Sequence, residues 1–358
     1  MLIKNIRNIM VSVAGVAVAT SAMAEGAAPT VYGEFRTEFT RKDDGLAKIE
    51  DGGKSVATAM LNLNEVKFGL KGKFNERTSY NFKLNFTDTA NIIDLASATW
   101  KASDMFAVTM GRDYVRQGGF SNWDNSFDNI WGDRIQALAF SRNATSLSLN
   151  MTPSAGHNVT IQLVNDIMTD DPTTTAANDG PASYNSAHKQ PAAILEYTGD
   201  FGPIKPIVQF GQYDMNHSSF YNVGARGNFG ATALSFDYGA KSASMPVGTS
   251  DKAAVATNMT LRAEHEVGSM VPFVWFNSFN VVDKDVNPAG TETKTNLTAG
   301  VWNDNATQIS VGSSFKNFGD NWTPYVAYRM TSGKFLSTKL VEKSGSESEL
   351  GLGVTGKF

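Results

Sequence analysis

The sequence contains no cysteine, only 4 histidines and no apolar run long enough to cross a bilayer as a helix. Without cysteine, neither a disulfide nor a cysteine-ligated metal can hold the fold, so burial and backbone pairing must do so. A membrane-spanning helix needs roughly 20 consecutive apolar residues, and the chain is only 41% hydrophobic. A helical membrane protein is therefore excluded.

The first 24 residues have the pattern of a secretory signal peptide. Lys4 and Arg7 precede an apolar run from Ile9 to Ala19, and Ala22-Met23-Ala24 offers a small-x-small cleavage site. We expect residues 1–24 to be removed on export, leaving 25–358 as a single domain. The exported part then carries 29 Lys and Arg against 35 Asp and Glu, a net charge of −6, which excludes a nucleic-acid binder.

The end of the chain alternates apolar with small or polar side chains and stops on an aromatic residue, Phe358. Successive side chains of a strand point to opposite faces, so one face here suits lipid and the other suits water. A soluble sheet with one wet face gives the same pattern. The signal peptide and the terminal aromatic residue together favour a membrane barrel over a soluble β-sandwich.

The same alternation recurs throughout the exported region and predicts sixteen strands. They are 31–40, 65–74, 80–87, 93–102, 104–112, 134–142, 158–166, 191–199, 205–214, 219–227, 231–240, 255–267, 271–281, 306–316, 322–331 and 348–358. Ser146–Met151 and Leu297–Val301 would add a further pair, so eighteen is the alternative count. The predicted fold is all-β, a transmembrane antiparallel β-barrel.

Short and long connections alternate, as in outer-membrane barrels, whose two rims differ in loop length. The short turns are Asn75–Arg77, Lys101–Asp104, Asp200–Pro203, Asn228–Gly230, Gly268–Met270 and Asn317–Trp322. The long loops are 41–55, 113–133, 167–190, 241–254, 282–305 and 332–347. Three short turns contain a Phe-Gly pair, which predicts a glycine at positive φ beside an interfacial ring: Phe201-Gly202, Phe229-Gly230 and Phe318-Gly319.

The polar faces of the predicted strands carry many cations, which would line a water-filled lumen. They are Arg36, Lys67, Lys71, Lys83, Arg112, Arg134, Arg226, Arg262 and Arg329. For any one of these residues, a solvated face without a specific role is an equally good interpretation. As a set they predict a charged pore lining.

Several short motifs occur in the order found in the general porins of Gram-negative outer membranes, and the chain resembles that family over its exported length. Val31-Tyr32-Gly33 is similar to the family's opening strand, and Lys67–Gly72 to its second strand. Met110-Gly111-Arg112 is similar to the Gly-Arg before the third loop. Asp133-Arg134, leading to Ser141-Arg142-Asn143, is similar to the strand after that loop.

The resemblance implies a sixteen-stranded barrel, usually trimeric, whose third loop folds inward and narrows the pore. Acidic residues on this loop would face a basic wall, setting up a transverse field. Lys67, Arg112 and Arg134 match basic wall positions. The acidic partners would be among Asp113, Asp124, Asp128 and Asp133.

Two departures from the family pattern concern the constriction. The family's third loop commonly carries Pro-Glu-Phe-Gly-Gly-Asp, whereas the corresponding segment here, Gly118–Trp131, is shorter and lacks it. The fourth strand has Asp94 where the family often has an arginine. We therefore expect a constriction that is wider or less basic than the family norm.

These observations predict a passive outer-membrane porin for small hydrophilic solutes and ions, with a homotrimer, outer-membrane lipid and lipopolysaccharide as partners. A substrate-specific channel and a structural or adhesive barrel are the alternatives. Enzymatic activity is not expected, because no nucleophile motif accompanies His157, His188, His217 or His265. Neither a cofactor nor a metal is predicted. Basic wall positions favour anions, whereas the acidic loop and negative net charge favour cations, so we expect a weak preference for cations.

Overall fold

The structure is a computed structural model, and it describes residues 28–44, 56–87, 92–120, 143–165, 192–213, 218–247, 250–284, 302–316, 321–336 and 342–358. These residues form a closed antiparallel barrel of sixteen strands, in which each strand pairs with its neighbours in sequence and the first pairs with the last. The sixteen-strand prediction is confirmed. The described residues contain no helix long and apolar enough to cross a membrane.

Thirteen of the sixteen strands have at least nine described residues, in the range of about 9–11 that a tilted transmembrane strand needs, and the other three have seven or eight. In chain order the strands are β1 (Thr30–Asp44), β2 (Val56–Lys73), β3 (Thr78–Asn85), β4 (Ile93–Lys101), β5 (Phe106–Tyr114), β6 (Asn143–Ser154), β7 (His157–Val164), β8 (Ala192–Thr198), β9 (Ile204–Tyr213), β10 (Ser218–Phe229), β11 (Thr232–Val247), β12 (Ser250–His265), β13 (Met270–Lys284), β14 (Trp302–Phe315), β15 (Trp322–Leu336) and β16 (Glu342–Lys357).

The barrel closes where β1 pairs with β16, from Glu34↔Lys357 to Asp43↔Ser348. The seam continues to the last residue, because the Gly33 N–H donates to the Phe358 carbonyl at 2.8 Å and the Phe358 N–H donates to the Gly33 carbonyl at 3.1 Å. The Phe358 ring covers Gly33 so closely that a Cβ there would overlap it. The terminal aromatic residue is thus part of the closure.

Burial in this barrel is inverted relative to a soluble protein. The buried side chains are largely polar: Gln162, Gln209 and Gln308 are 0% exposed. Large apolar side chains are outside, with Leu61 76% and Phe201 60% exposed. This distribution suits a barrel with lipid around it and a polar interior, and it argues against a β-sandwich with an apolar core.

Tight turns gather on one rim together with both ends of the barrel. Gly202 and Gly230 lie in these turns with φ of 76° and 64°, and the neighbouring Phe201 and Phe229 are exposed. The predicted positive φ at these two glycines is therefore confirmed. Phe318-Gly319 lies outside the described residues. Short turns mark the periplasmic rim of an outer-membrane barrel.

Three sequence-based assignments are wrong. The stretch 143–157, treated as a connection or an extra strand, contains β6 and the Ala155-Gly156 turn, so Ser146–Met151 belongs to the sixteen and not to an eighteen-strand barrel. The predicted strand 134–142 and the segment Leu297–Val301 lie outside the described residues. The predicted loops 241–254 and 332–347 are mostly strand. β11 and β12 remain paired from Thr232↔His265 to Val247↔Ser250, and β15 and β16 from Trp322↔Gly356 to Leu336↔Glu342.

Candidate pore lining and constriction

A cluster of opposite charges lines the interior of strands β1 to β4. The Lys83 ammonium lies 3.1 Å from Asp94 Oδ2, and Lys67 Nζ lies 3.9 Å from both Asp94 Oδ2 and Glu34 Oε2. Lys67 also forms an ion pair with Glu65. Lys67 is 5% exposed and Lys83 is 2% exposed, so the ion pairs belong to the wall and do not project freely into the lumen.

The register of β1 against β2 explains how the sequence brings these charges together. Glu34 pairs with Lys67 and Arg36 with Glu65, and a β-bulge follows, between Arg36 and Thr37. Bulges bend a strand and re-aim its side chains. Here the bulge keeps Asn64 near the lumen, where its amide donates to Glu38 Oε1 at 3.2 Å.

Two tyrosines extend this cluster toward the periplasmic rim and the third loop. Lys83 Nζ donates to the Tyr114 hydroxyl at 2.8 Å and lies 5.4 Å from that ring's centroid. Lys71 Nζ lies 5.4 Å from the ring centroid of Tyr32, whose hydroxyl donates to Asn81 at 2.7 Å. Cations over aromatic faces are held in place without losing their charge.

After β5 the chain turns inward and runs along the inner wall as far as β11. Four buried or nearly buried hydrogen bonds fix this entry segment, Val115–Phe120. The N–H groups of Arg116, Gly119 and Phe120 donate to Gln162 Oε1 at 2.9 Å, Gln209 Oε1 at 2.8 Å and Asp237 Oδ1 at 2.9 Å, and Gln162 Nε2 donates back to the Tyr114 carbonyl at 2.9 Å. The acceptors come from β7, β9 and β11, so the inward third loop is confirmed for these residues.

The entry segment is also held by an ion pair and a small apolar cluster. Arg116 Nη1 lies 3.4 Å from Glu196 Oε1, and the other oxygen of Glu196 accepts from Gln209 Nε2 at 2.8 Å. Val115 is buried against apolar side chains of β6, β7, β8 and β10: Ala144, Val164, Ala192, Ile194 and Phe220. Burying such a side chain contributes about 1.5–3 kcal/mol.

Glycine is required where this segment passes closest to the wall. Gly119 has a φ of 65°, a region that other residues rarely adopt. A Cβ at this position would overlap the side chains of Asp237 and Asn222. The Gly118-Gly119 pair therefore lets the backbone N–H groups reach acceptors on β9 and β11.

The remaining lumen wall also presents ion pairs. Arg329 bonds to Glu349, and Lys42 Nζ lies 2.9 Å from Glu347 Oε2. Arg262 bonds to Glu264 and stacks on Trp275, 4.6 Å from the ring centroid. Tyr325 donates to Glu38 Oε2 at 2.6 Å. Positive groups of the described wall thus lie paired with neighbouring carboxylates.

The structure brings some of the predicted site residues together and leaves others apart. Arg36, Lys67 and Lys83 lie in one interior cluster, and Lys71 is exposed nearer the rim. Arg112 is partly buried in β5, paired with Ala96 and Thr145. Asp113 lies in β5 and not on the loop as predicted. Asp124, Asp128, Asp133 and Arg134 lie outside the described residues.

Sequence reasoning missed the residues that fix the loop entry: Arg116, Gln162, Glu196, Gln209 and Asp237. For the wall residues Gln162, Glu196, Gln209 and Asp237, the sequence signal is a polar residue at an inward position of an alternating strand. Their contact with the loop cannot be predicted in this way, because it depends on the fold. Among the described residues no group of three His, Cys, Asp or Glu could hold a metal. His157 and His265 bond to Tyr197 and Thr232.

Comparison with known proteins agrees with this architecture. A family model described as phosphate-selective porin O and P matches residues 31–190. The chain has the fold of an outer-membrane porin. It is similar to OmpT of Vibrio cholerae (12% identity, 92% of this chain and 97% of that chain, TM-score 0.61). It is also similar to the anion-selective porin of Comamonas acidovorans (16%, 93% and 100%, TM-score 0.60) and to the outer membrane channel DcaP of Acinetobacter baumannii (11%, 93% and 98%, TM-score 0.63).

No curated protein matches the sequence. The family model covers residues 31–190, and the structural matches, at 11–16% identity, show the fold of outer-membrane porins. They do not single out the general, non-specific type that the sequence motifs resemble.

Proposed function

We propose that the protein is a passive diffusion channel for small hydrophilic solutes and ions, acting as a homotrimer in the outer membrane. The observation that carries this proposal is the inverted burial of a closed barrel whose third loop enters the lumen. Diffusion needs only a polar lining and a defined narrow region. The buried polar side chains of the described strands supply the lining, and the third loop, whose entry segment Val115–Phe120 lies along the inner wall, would supply the narrow region.

The charges of the lining support weak selectivity. Cations in the cluster Lys67, Lys83 and Arg36 lie in one wall with carboxylates of Glu34, Glu65 and Asp94. The electrostatic potentials of two opposite charges within 4 Å of each other largely cancel at points farther away than the Debye length of about 8 Å. A passing ion therefore meets little net potential from this wall.

A phosphate- or anion-selective channel is the second candidate. It is favoured by the family model for phosphate-selective porins, whose match over residues 31–190 includes the whole Lys67–Lys83 cluster. An anion-selective porin is also among the structural neighbours. Such a channel would need cations that are not neutralised at its narrowest point.

Planar-bilayer recording of the purified exported chain separates these candidates. In a tenfold KCl gradient, an ideally selective pore gives a reversal potential of about 59 mV. We expect less than about one third of this value, of either sign, and a conductance that rises linearly with salt. A reversal potential near the ideal value, or conductance that saturates with phosphate, would replace the general channel with the selective one. Absence of any pore would favour a structural or adhesive barrel.

The homotrimer is supported by the resemblance of the sequence to trimeric porins and by the trimer form of OmpT among similar structures. Cross-linking in mild detergent should give a trimer, and unboiled samples should migrate as a compact species that boiling converts to the monomer. A monomer before heating would refute the assembly but leave the channel intact.

A further inference from the structure

A niche outside the loop-lined part of the lumen lies on the inner side of the short-turn rim. It is formed between the β2–β3 and β4–β5 turns and the adjoining ends of β3, β5 and β6, with a volume of about 320 Å³. Backbone hydrogen bonds fix its frame: the Lys101 N–H donates to the Arg77 carbonyl at 2.7 Å and joins the two turns. Asn75 Oδ1 accepts the N–H groups of Arg77 and Thr78 at 2.9 and 2.8 Å.

Three cations line this niche, namely Lys73, Arg77 and Lys101. Lys101 donates a hydrogen bond to Asp104 at 2.7 Å, which lowers the pKa of that exposed carboxyl and keeps the two groups paired. Lys73 and Arg77 are exposed and form no ion pair with the described residues. The described lining holds two carboxylates: Asp104, which is paired with Lys101, and Glu76, beside Arg77 in the turn.

The other lysines of the described turns on this rim are neutralised. Lys205 lies 3.5 Å from Asp200, and Lys316 is paired with Glu266. Lys71, also near this rim, lies over the Tyr32 ring. The niche thus holds two exposed cations, Lys73 and Arg77, that have neither an ion pair nor a ring contact among the described residues. Hydroxyl groups of Thr78, Ser79 and Ser103 also line it and can donate hydrogen bonds to an oxyanion.

We propose that this niche is a binding site for small oxyanions at the periplasmic mouth, distinct from the loop-lined part of the lumen. An ammonium, a guanidinium and hydroxyl donors in one concave site are the groups that recognise phosphate and carboxylate. The proposal rests on the channel function above. Its consequence is a sided channel: oxyanions arriving from the periplasm are retained at the mouth, whereas those arriving from outside must first pass the third loop.

The test uses the full exported chain in planar bilayers, with inorganic phosphate added to one compartment at a time in KCl. In the wild type, phosphate on the periplasmic side should reduce the chloride current at about tenfold lower concentration than phosphate on the other side. Removing two charges at about 5 Å in water-rich surroundings corresponds to about a tenfold loss of affinity. The Lys73→Gln, Arg77→Gln double variant should therefore lose the sidedness.

Lys205→Gln is the matched control, because it removes an exposed but paired lysine from the same rim. It should leave the phosphate response unchanged. Two results would overturn the proposed oxyanion site. One is an equal phosphate response in the wild type and the double variant, and the other is a loss of sidedness in Lys205→Gln as large as that in the double variant. KCl conductance in all three proteins reports on the channel itself, so the failure of the niche and of the channel function are distinguished.

Discussion

Removing the carboxylate of Asp237 is expected to release the third loop from the wall and widen the channel. Asp237 Oδ1 accepts the N–H of Phe120 at 2.9 Å, the last of the described hydrogen bonds along the loop entry. Asp237 is itself buried, so in Asp237→Ala the Phe120 N–H loses an acceptor where little water can replace it.

The size of the effect follows from the kind of bond. A hydrogen bond to a charged group contributes about 1.5–3 kcal/mol, and each 1.4 kcal/mol is a factor of about ten in an equilibrium constant. Asp237→Ala should therefore shift the attachment equilibrium of the loop by about ten- to hundredfold toward detachment. Asp237→Asn retains an acceptor oxygen in the same place and should restore most of the attachment.

Single-channel conductance and the exclusion limit for sugars in liposome swelling are the measurements. Asp237→Ala should show larger and more variable conductance and admit larger sugars, while Asp237→Asn stays close to the wild type. Thr160→Val is a suitable control, because it removes a buried lumen hydrogen bond to Asn150 that does not involve the loop. Wild-type conductance and exclusion limit in Asp237→Ala, in a barrel that still migrates as folded, would refute the role of this bond.

Two further predictions concern stability. Lys83→Met leaves Asp94 without its nearest ammonium and should lower the free energy of unfolding in urea by about 2–4 kcal/mol. Adding Asp94→Asn to this variant should recover part of the loss. An unchanged urea midpoint in Lys83→Met would contradict the ion-pair interpretation. Gly33→Leu places a side chain against the Phe358 ring and should destabilise the β1–β16 seam by about 1–3 kcal/mol. The barrel should then unfold at a lower temperature in heat-modifiable gel migration. A second change, Phe358→Ala, should recover part of the lost stability.

The barrel was predictable from the sequence because its signal is local. Alternation needs only the neighbouring side chains, and it identified most strands in the right order. It failed at β6, where Leu147 and Leu149 alternate with Ser146 and Ser148 as clearly as elsewhere. The alternation in 134–142 and the motif resemblance both predict the strand after the third loop there, so Ser146–Met151 is predicted only as an optional extra strand. Alternation also failed at the ends of β11 and β12 away from the short-turn rim, where the ladder continues from Lys241↔Ala256 to Val247↔Ser250.

The site was less predictable because it depends on register and on the path of the loop. The sequence placed Lys67 and Lys83 on a polar face, but only the β1–β2 pairing shows that Glu34 lies opposite Lys67. In the sequence, Asp94 stands where the general porins often have an arginine. In the structure it is the partner of both lysines. Its contacts require β4 to be aligned with β2 and β3, which no single strand pattern determines.

The position of these partners changes how the pore should discriminate between solutes. A transverse field needs cations on one wall and carboxylates across the lumen, as the porin resemblance implied. In the described lining, both signs lie in the same wall, at 3.1 to 3.9 Å around Asp94 and at 3.4 Å between Arg116 and Glu196. Paired charges at such distances act as short dipoles whose potential fades within the lumen water. Size selection then depends mainly on the attachment of the third loop. Charge selection depends on cations outside these ion pairs, which among the described residues near the rim include Lys73, Arg77 and, over the Tyr32 ring, Lys71.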